Sequence, residues 1–167
     1  ADWSVMPSGT IRDLRDVWGA SGSNVFAVGG FSTILNYNGS AWSDIPNVID
    51  NKKTLSGVWG SSGSNVFAVG RDGTILNFNV SSWSEMASGT DEELEDVWGS
   101  DSLNVFAVGE DGTILNYNGS TWSTMTSGTT TDLEGVWGSS SNAVFAVGDG
   151  GTILYYNGSS WSAMISG

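Results

Sequence analysis

Short apolar runs separated by turn residues dominate this sequence, and no stretch shows the 3.6-residue period of an amphipathic helix. The run Asn-Val-Phe-Ala-Val-Gly at 65–70 is apolar on both faces, with Val66 and Ala68 on one side and Phe67 and Val69 on the other. Such a strand is expected in a sheet that packs between two other sheets. The pattern therefore predicts an all-β chain of short strands.

The same pattern occurs four times along the chain, which makes an internal repeat the first feature to interpret. Val-Trp-Gly recurs at spacings of 41, 39 and 39 residues, starting at Val17, Val58, Val97 and Val136. Each copy closes on a Trp-Ser segment, at Trp42, Trp83, Trp122 and Trp161. A fifth such segment, Trp3-Ser4-Val5-Met6, precedes the first copy. We divide each unit into four predicted strands, a to d, of which Val-Trp-Gly lies on strand a and Trp-Ser on strand d.

The turns between the strands support this division. Strands b and c are joined at Asp72-Gly73, Asp111-Gly112 and Gly150-Gly151, and strands c and d at Asn38-Gly39, Asn118-Gly119 and Asn157-Gly158. These dipeptides favour two-residue type I′ hairpins, in which both central residues have positive φ. Phe31-Ser32 and Val80 depart from the rule. We expect the hairpins that contain them to be looser or of another type.

Four-stranded antiparallel units repeated about every 40 residues are typical of blades stacked radially around an axis. The fold class predicted is all-β, a β-propeller with four tandem four-stranded blades and one extra N-terminal outer strand. The predicted boundaries are 1–10 for the extra strand, 11–49 for blade 1, 50–89 for blade 2, 90–128 for blade 3 and 129–167 for blade 4. The main competing architecture is a linear stack of β units.

The sequence contains five predicted d strands but only four sets of strands a to c. It therefore does not determine how the ring closes. The chain is either a closed four-blade ring with a spare strand or part of a larger ring. We expect a homo-oligomer that completes a larger ring, with two chains and eight blades as one solution. A head-to-tail contact would bring Arg12 and Arg15 near Asp132 and Glu134, in either kind of ring.

The repeat resembles blades known from other proteins. The unit Val-Trp-Gly-Ser-Ser … Asn-Val-Phe-Ala-Val-Gly-x-x-Gly-Thr-Ile-Leu is similar to propeller repeats of many bacterial exported proteins, and more distantly to photosystem II assembly-factor repeats. A weaker similarity is to bacterial seven-bladed lectins. The resemblance implies a propeller and an extracellular or periplasmic location. It leaves the function open because propellers host many unrelated activities.

Charge and composition exclude several classes of partner. The 167 residues suit a single domain, and their net charge of −13 disfavours binding to nucleic acid or to anionic membrane surfaces. All five basic residues precede Met86. No apolar run approaches the length of a membrane span.

Reactive constellations are missing from the sequence. Without histidine or cysteine there can be no Ser-His-Asp triad, thiol nucleophile or histidine-bound zinc. We predict no catalytic, cofactor or metal site, and we interpret the acidic run at 91–96 as a solvated loop rather than a calcium site. A hydrolase that uses carboxylates alone is the least favoured class.

Tryptophan residues are the candidate ligand-binding groups. One recurs on strand a of every unit, at Trp18, Trp59, Trp98 and Trp137. Aromatic faces stack on sugar rings, but a tryptophan repeated in every blade also fills the gap between stacked sheets, and packing carries the greater weight. The sequence thus favours a non-catalytic scaffold for protein binding or self-assembly, uniform enough to be a recently amplified or engineered repeat. The alternative is a multivalent glycan-binding lectin. Partner specificity is expected in the loops at 46–53 and 91–96, which differ between units.

Overall fold

The computed structural model describes residues 4–49 and 52–165 and contains four sheets, each of four antiparallel strands in chain order. The predicted β-propeller architecture is confirmed. Blade 1 contains β1 (Leu14–Ser21), β2 (Asn24–Gly29), β3 (Ile34–Tyr37) and β4 (Trp42–Asp44). Blade 2 contains β5 (Leu55–Ser62), β6 (Asn65–Gly70), β7 (Thr74–Asn79) and β8 (Ser82–Met86). Blade 3 contains β9 (Leu94–Asp101), β10 (Asn104–Gly109), β11 (Ile114–Tyr117) and β12 (Trp122–Met125). Blade 4 contains β13 (Leu133–Ser140), β14 (Ala143–Gly148), β15 (Thr152–Tyr156) and β16 (Trp161–Ala163).

The sheets pack face to face, with β1, β5, β9 and β13 side by side as the inner strands. Three apolar cores result, one at each junction between successive blades. The two-faced character of strand b is confirmed, because Val66 and Ala68 enter the core shared with blade 1 while Phe67 and Val69 enter the core shared with blade 3. Each middle blade is therefore held through both of its faces.

Every inner strand carries a β-bulge near its start, which the sequence analysis did not foresee. In blade 3, Leu94 pairs with Gly109 and Asp96 with Val108, so Glu95 is the extra residue. The glycine is required there, because a Cβ on Gly109 would collide with the backbone carbonyl of Glu93. This explains why Val-Phe-Ala-Val always ends on glycine.

The turns differ from the predicted set in two ways. Phe31 and Ser32 both have positive φ, 58° and 57°, like Asp72 and Gly73 of blade 2, so the prediction of a looser or different turn was wrong there. Between strands c and d, only the glycine of Asn38-Gly39 has positive φ, so type I′ was also wrong. The Asn38 side chain instead accepts hydrogen bonds from the backbone N–H groups of Ser40 and Ala41, which fixes an Asx turn.

The described blades form an open arc. In a closed four-blade ring the outward faces of blades 1 and 4 would bury each other, yet Val17 and Trp137 are each 61% exposed. The extra N-terminal outer strand is also absent from the described residues, since 4–13 contains no strand and Val5 is fully exposed. Trp3 lies outside the described residues.

Candidate functional site: the two end faces of the blade stack

The junction between blades 2 and 3 shows how successive blades recognise each other. The indole of Trp59 lies over Gly99, with its Cη2 atom 2.6 Å from the position that a Cβ would occupy. Only glycine leaves room for the ring. The same contact joins Trp18 to Gly60 and Trp98 to Gly138. The Val-Trp-Gly segments of blades 2 and 3 therefore each supply a tryptophan to the following blade and a glycine slot to the preceding one.

A second aromatic contact closes the outer half of the same junction. Trp122 of strand d stands edge-on to Phe67 of the preceding blade at a centroid distance of 5.9 Å. Tyr117 also contacts Phe67, at 5.4 Å. Edge-to-face and tilted pairs at these distances are favourable geometries for aromatic rings. Equivalent clusters surround Phe26 at the first junction and Phe106 at the third.

A carboxylate clasp links blade 3 to blade 4 next to the axis. One oxygen of Asp96 accepts a hydrogen bond from its own neighbour, Val97 N, and the other accepts one from Val136 N across the junction, each at 2.8 Å. Asp16 makes the same pair of bonds to Val17 and Val58. Blades 1 and 3 therefore carry aspartate at this position, whereas blades 2 and 4 carry Gly57 and Gly135.

A short hydrogen-bonded loop completes the second and third junctions. Before blade 3, Ser88 donates to the Thr90 carbonyl, and Glu92 N donates to the Thr90 hydroxyl. This loop lies on the b–c turn of blade 2, where Gly73 N donates to the Glu92 carbonyl at 2.9 Å. Thr90 and Ser88 leave no room for a Cβ on Gly73. The turn and the loop are thus in such close contact that position 73 can hold only glycine.

Blade 4 presents a junction face with no blade against it. Its forward-facing side chains correspond to those that blade 2 buries against blade 3. Trp137 is 61% exposed and Val147 46% exposed, whereas the equivalent Val69 is completely buried. Phe145 is only partly buried, and its ring partner is Tyr155 of its own blade. We call this surface, formed by Trp137, Phe145, Val147, Ile153 and Met164, the leading face.

Blade 1 presents the opposite half of a junction. Leu14 is 43% exposed and Val17 61% exposed, whereas the equivalent leucines of blades 2 to 4 are completely buried. Trp42 and Tyr37 are partly buried and contact each other at 5.3 Å. The slot glycine of this blade is Gly19, which is exposed. We call this surface, formed by Leu14, Val17, Gly19, Tyr37 and Trp42, the trailing face.

The N-terminal segment already has the conformation of a junction loop. Ser8 donates to the Thr10 carbonyl, and Arg12 N donates to the Thr10 hydroxyl at 3.0 Å. Gly9 has φ of 78°, close to the 82° of Gly89. The loop is thus formed without a preceding blade to rest on.

Charge near the axis is dominated by carboxylates from blades 3 and 4. The pKa of Asp96 is raised to about 6. Burial is the main cause and the nearby charge of Asp16 a smaller one, and both act against the Val136 and Val97 N–H groups, which lower it. Burial and the charges of Glu93, Glu134 and Glu110 raise the pKa of Glu95. Arg15 acts in the opposite direction on Glu95. Arg15, Glu95 and Glu134 are the bulge residues of their inner strands.

The structure places the four candidate tryptophans in two kinds of environment. Trp18, Trp59 and Trp98 are partly buried, each over the slot glycine of the next blade. Trp137 has no such partner and is exposed. Ligand binding at these residues stays a prediction. Sequence analysis missed Gly19 and Phe145, although the constant glycine after each tryptophan was a signal for the slot.

The other predicted features have the following positions. Arg12 lies over the ring of Phe31 at 3.9 Å, and Asp132 accepts a hydrogen bond from Asp111 N, so the expected Arg12–Asp132 proximity does not arise within the chain. Part of the loop at 46–53 lies outside the described residues. Over 4–49 and 52–165, no three acidic residues are grouped to hold a metal ion, and no helix has the length and apolarity to cross a membrane.

Comparisons with known proteins identify the fold. No family model matches the sequence, and no curated protein sequence matches it significantly. Among solved structures, "YCF48 bound to D1 peptide" superposes over 95% of this chain and 54% of its own, with a TM-score of 0.73 and 15% identity. YCF48 from Cyanidioschyzon merolae superposes over 86% of this chain and 50% of its own, with a TM-score of 0.69 and 18% identity. The chain therefore shares the fold of these propellers and spans about half of their length.

Proposed function

We propose that this chain is a non-catalytic propeller scaffold that binds protein through its leading and trailing faces. The protein bound can be another copy of the same chain. The single observation that carries the proposal is the exposure of these two faces. Their residues occupy positions that are buried or partly buried at the three internal junctions. Contiguous apolar patches of this kind mark sites of protein interaction.

The comparisons add support for this class of function. One of the two similar propellers is described as bound to a peptide, which is a protein ligand. The present chain has no histidine or cysteine from which common nucleophile–base pairs are built. A scaffold needs only surface complementarity, which the two faces supply.

A glycan-binding lectin is the second candidate, and a different observation favours it. A groove between blades 2 and 3 is lined by amide and hydroxyl groups beside an aromatic ring: Ser64, Asn65, Asn77, Asn79 and Tyr117. Such a combination suits a sugar, whose hydroxyls need polar partners and whose ring stacks on aromatic faces. Loss of glycan-array signal in a folded Asn79→Ala variant, which changes an exposed residue of this groove, would support the lectin over the scaffold.

Hydroxyl-radical footprinting across a concentration series tests the scaffold proposal. Association through the end faces should protect Trp137 and Trp42 as the concentration rises, because both rings leave solvent. Trp59, which is covered at an internal junction, is the internal control and should keep a constant reactivity. Unchanged reactivity of Trp137 and Trp42 at every concentration, with a monomeric mass, would contradict the proposal for self-association.

A further inference from the structure

We infer that the occupant of both end faces is a second copy of this chain, and that two copies close an eight-blade ring through two identical head-to-tail junctions. The inference rests on the proposed function and names its partner, its stoichiometry and its register. Four observations support it, and each compares an exposed end face with a junction between two blades inside the chain.

The first observation is the match between Trp137 and Gly19. Inside the chain, each strand-a tryptophan covers a buried glycine of the next blade. Trp137 is a ring without a slot, and Gly19 is a slot without a ring. Gly19 has no ring from another blade over it: the three atoms nearest to a Cβ there, two of the Val25 side chain at 3.1 and 3.5 Å and the Ser21 carbonyl oxygen at 3.5 Å, all belong to its own blade. Joining blade 4 to blade 1 of the second copy pairs them.

The second observation concerns the outer half of the junction. Phe67 is enclosed by Tyr117 and Trp122 of the next blade, with both rings within 6 Å of it. Phe145 has no such partners from a following blade, while Tyr37 and Trp42 have no phenylalanine from a preceding one. The two incomplete clusters contain the same three residue types at equivalent positions. Together they form one complete cluster.

The third observation is an alternation along the inner strands that stays in phase across the proposed junction. The residue just before Val-Trp-Gly alternates between aspartate and glycine from blade to blade: Asp16, Gly57, Asp96 and Gly135. Gly57 has to be glycine, because a Cβ there would lie 2.9 Å from the Cα of Asp96 and 3.2 Å from the Glu95 carbonyl oxygen of the next blade. Gly135 lacks an aspartate blade in front of it. Asp16 of a second copy would supply one, and the alternation would continue around the ring.

The fourth observation is the preformed loop at 8–12. The equivalent loop at 88–92 rests on the b–c turn of the preceding blade. The b–c turn of blade 4, Gly150-Gly151, has the same positive φ angles as Asp72-Gly73 and no loop from a following blade. Asp13 aligns with Asp132, which accepts from Asp111 N of blade 3. In the ring, Asp13 of one copy is therefore placed to accept from Gly150 N of the other.

Charge and geometry favour closure by two copies. In the ring, Arg15 of one copy becomes the neighbour of Glu134 of the other, which offsets part of the repulsion between two chains of net charge −13. Two copies supply eight blades, and four blades already match about half of a larger propeller. Association costs translational and rotational freedom, and two junctions that form together meet that cost only once.

Light scattering on the full chain and three variants tests the inference. The wild-type chain should have twice its 17.5 kDa mass. Trp137→Ala and Gly19→Ala should each weaken association more than tenfold, because each damages both junctions of a pair. Gly22→Ala is the matched control, since a Cβ there meets nothing within 4 Å, and it should associate like the wild type. Circular dichroism of each variant confirms that it folds.

Mixing the two damaged variants sharpens the test. A head-to-tail pair of one Trp137→Ala chain and one Gly19→Ala chain keeps one undamaged junction, so the mixture should associate more strongly than either variant alone. A mass that grows with concentration beyond two chains, or a Gly19→Ala variant that associates normally, would overturn the two-copy ring while leaving association through the end faces intact. A monomer without footprinting protection would overturn both this inference and self-association.

Discussion

The indole of Trp59 stands 2.6 Å from where a Cβ of Gly99 would be, so the tryptophan of one blade determines which residue the next blade can carry. The relationship holds at all three internal junctions. Because tryptophan and glycine are adjacent in Val-Trp-Gly, a single tripeptide provides both halves of the contact. Repetition of the tripeptide therefore repeats this contact from blade to blade.

Substituting the slot glycine should destabilise the fold only where a ring already fills the slot. Gly99→Ala forces a methyl group against Trp59, and we expect the free energy of unfolding to fall by about 1–3 kcal/mol. Gly19→Ala, measured at concentrations where the chain is monomeric, should change it by less than about 0.5 kcal/mol. Urea unfolding measures both. Equal losses in the two variants would contradict the assignment of Gly19 as an empty slot.

Truncating the tryptophans should show the same asymmetry. Trp98→Ala leaves a cavity over Gly138, and we expect a loss of about 2–4 kcal/mol in the free energy of unfolding. Trp137 is 61% exposed, so Trp137→Ala should cost the dilute chain less than about 1 kcal/mol. Thermal and urea unfolding at low concentration provide the comparison. A loss at Trp137 as large as that at Trp98 would show that its face is covered within the chain.

The c–d turn of blade 2 contains a strained residue. Val80 has φ of 58°, a left-handed conformation that is unfavourable for a β-branched side chain. Val80→Gly should therefore raise the free energy of unfolding by about 1 kcal/mol. Val80→Ala is the control, because it shortens the side chain without granting the freedom of glycine, and it should gain less. A destabilised Val80→Gly variant would contradict this conformation of the turn.

Acidification should stabilise the fold through Asp96, because protonation removes the cost of burying its charge. Its pKa of about 6 lies above the ordinary value of 3.8, so the folded chain binds more protons than the unfolded chain between these two pH values. The contribution of Asp96 to the free energy of unfolding therefore increases as pH falls from 7 to 4, by about 2–3 kcal/mol. Asp96→Asn should remove this component from the pH profile of urea unfolding.

The control for this titration is Asp101, an exposed carboxylate at the end of β9. Hydrogen bonding from Leu103 N lowers the pKa of Asp101, so its contribution has the opposite sign and is lost as pH falls. Carbon-13 NMR of the two carboxyl groups should show Asp96 titrating well above Asp101. Titration of Asp96 near its ordinary value would contradict the burial of the clasp.

The fold was predictable because its signals are local and repeated. The apolar run Val66–Val69 predicts a strand with two buried faces, and the dipeptide Asp72-Gly73 marks the hairpin that follows it. The bulge at Glu95 has no such signal, because it depends on how closely Gly109 approaches a carbonyl on the neighbouring strand. The Asn38 turn was assigned incorrectly because dipeptide preference alone does not reveal which N–H groups a side chain will cap.

The candidate site was only half predictable. Repetition identified Trp137 as one of four equivalent residues, but the sequence does not distinguish a covered copy from an exposed one. That difference depends on whether a blade follows. Gly19 and Phe145 were missed because glycine and phenylalanine at these positions look like packing residues, which they are at the internal junctions. Only the open arc turns them into parts of a surface.

An isotope-filtered NOE experiment on an equimolar mixture of labelled and unlabelled chains tests the central claim most directly. If the leading and trailing faces are two halves of one interface, the Trp137 indole protons of one chain should show NOEs to the Gly19 α-protons of the other. Their absence in an associated sample, or NOEs from Trp137 to a second Trp137, would contradict that claim.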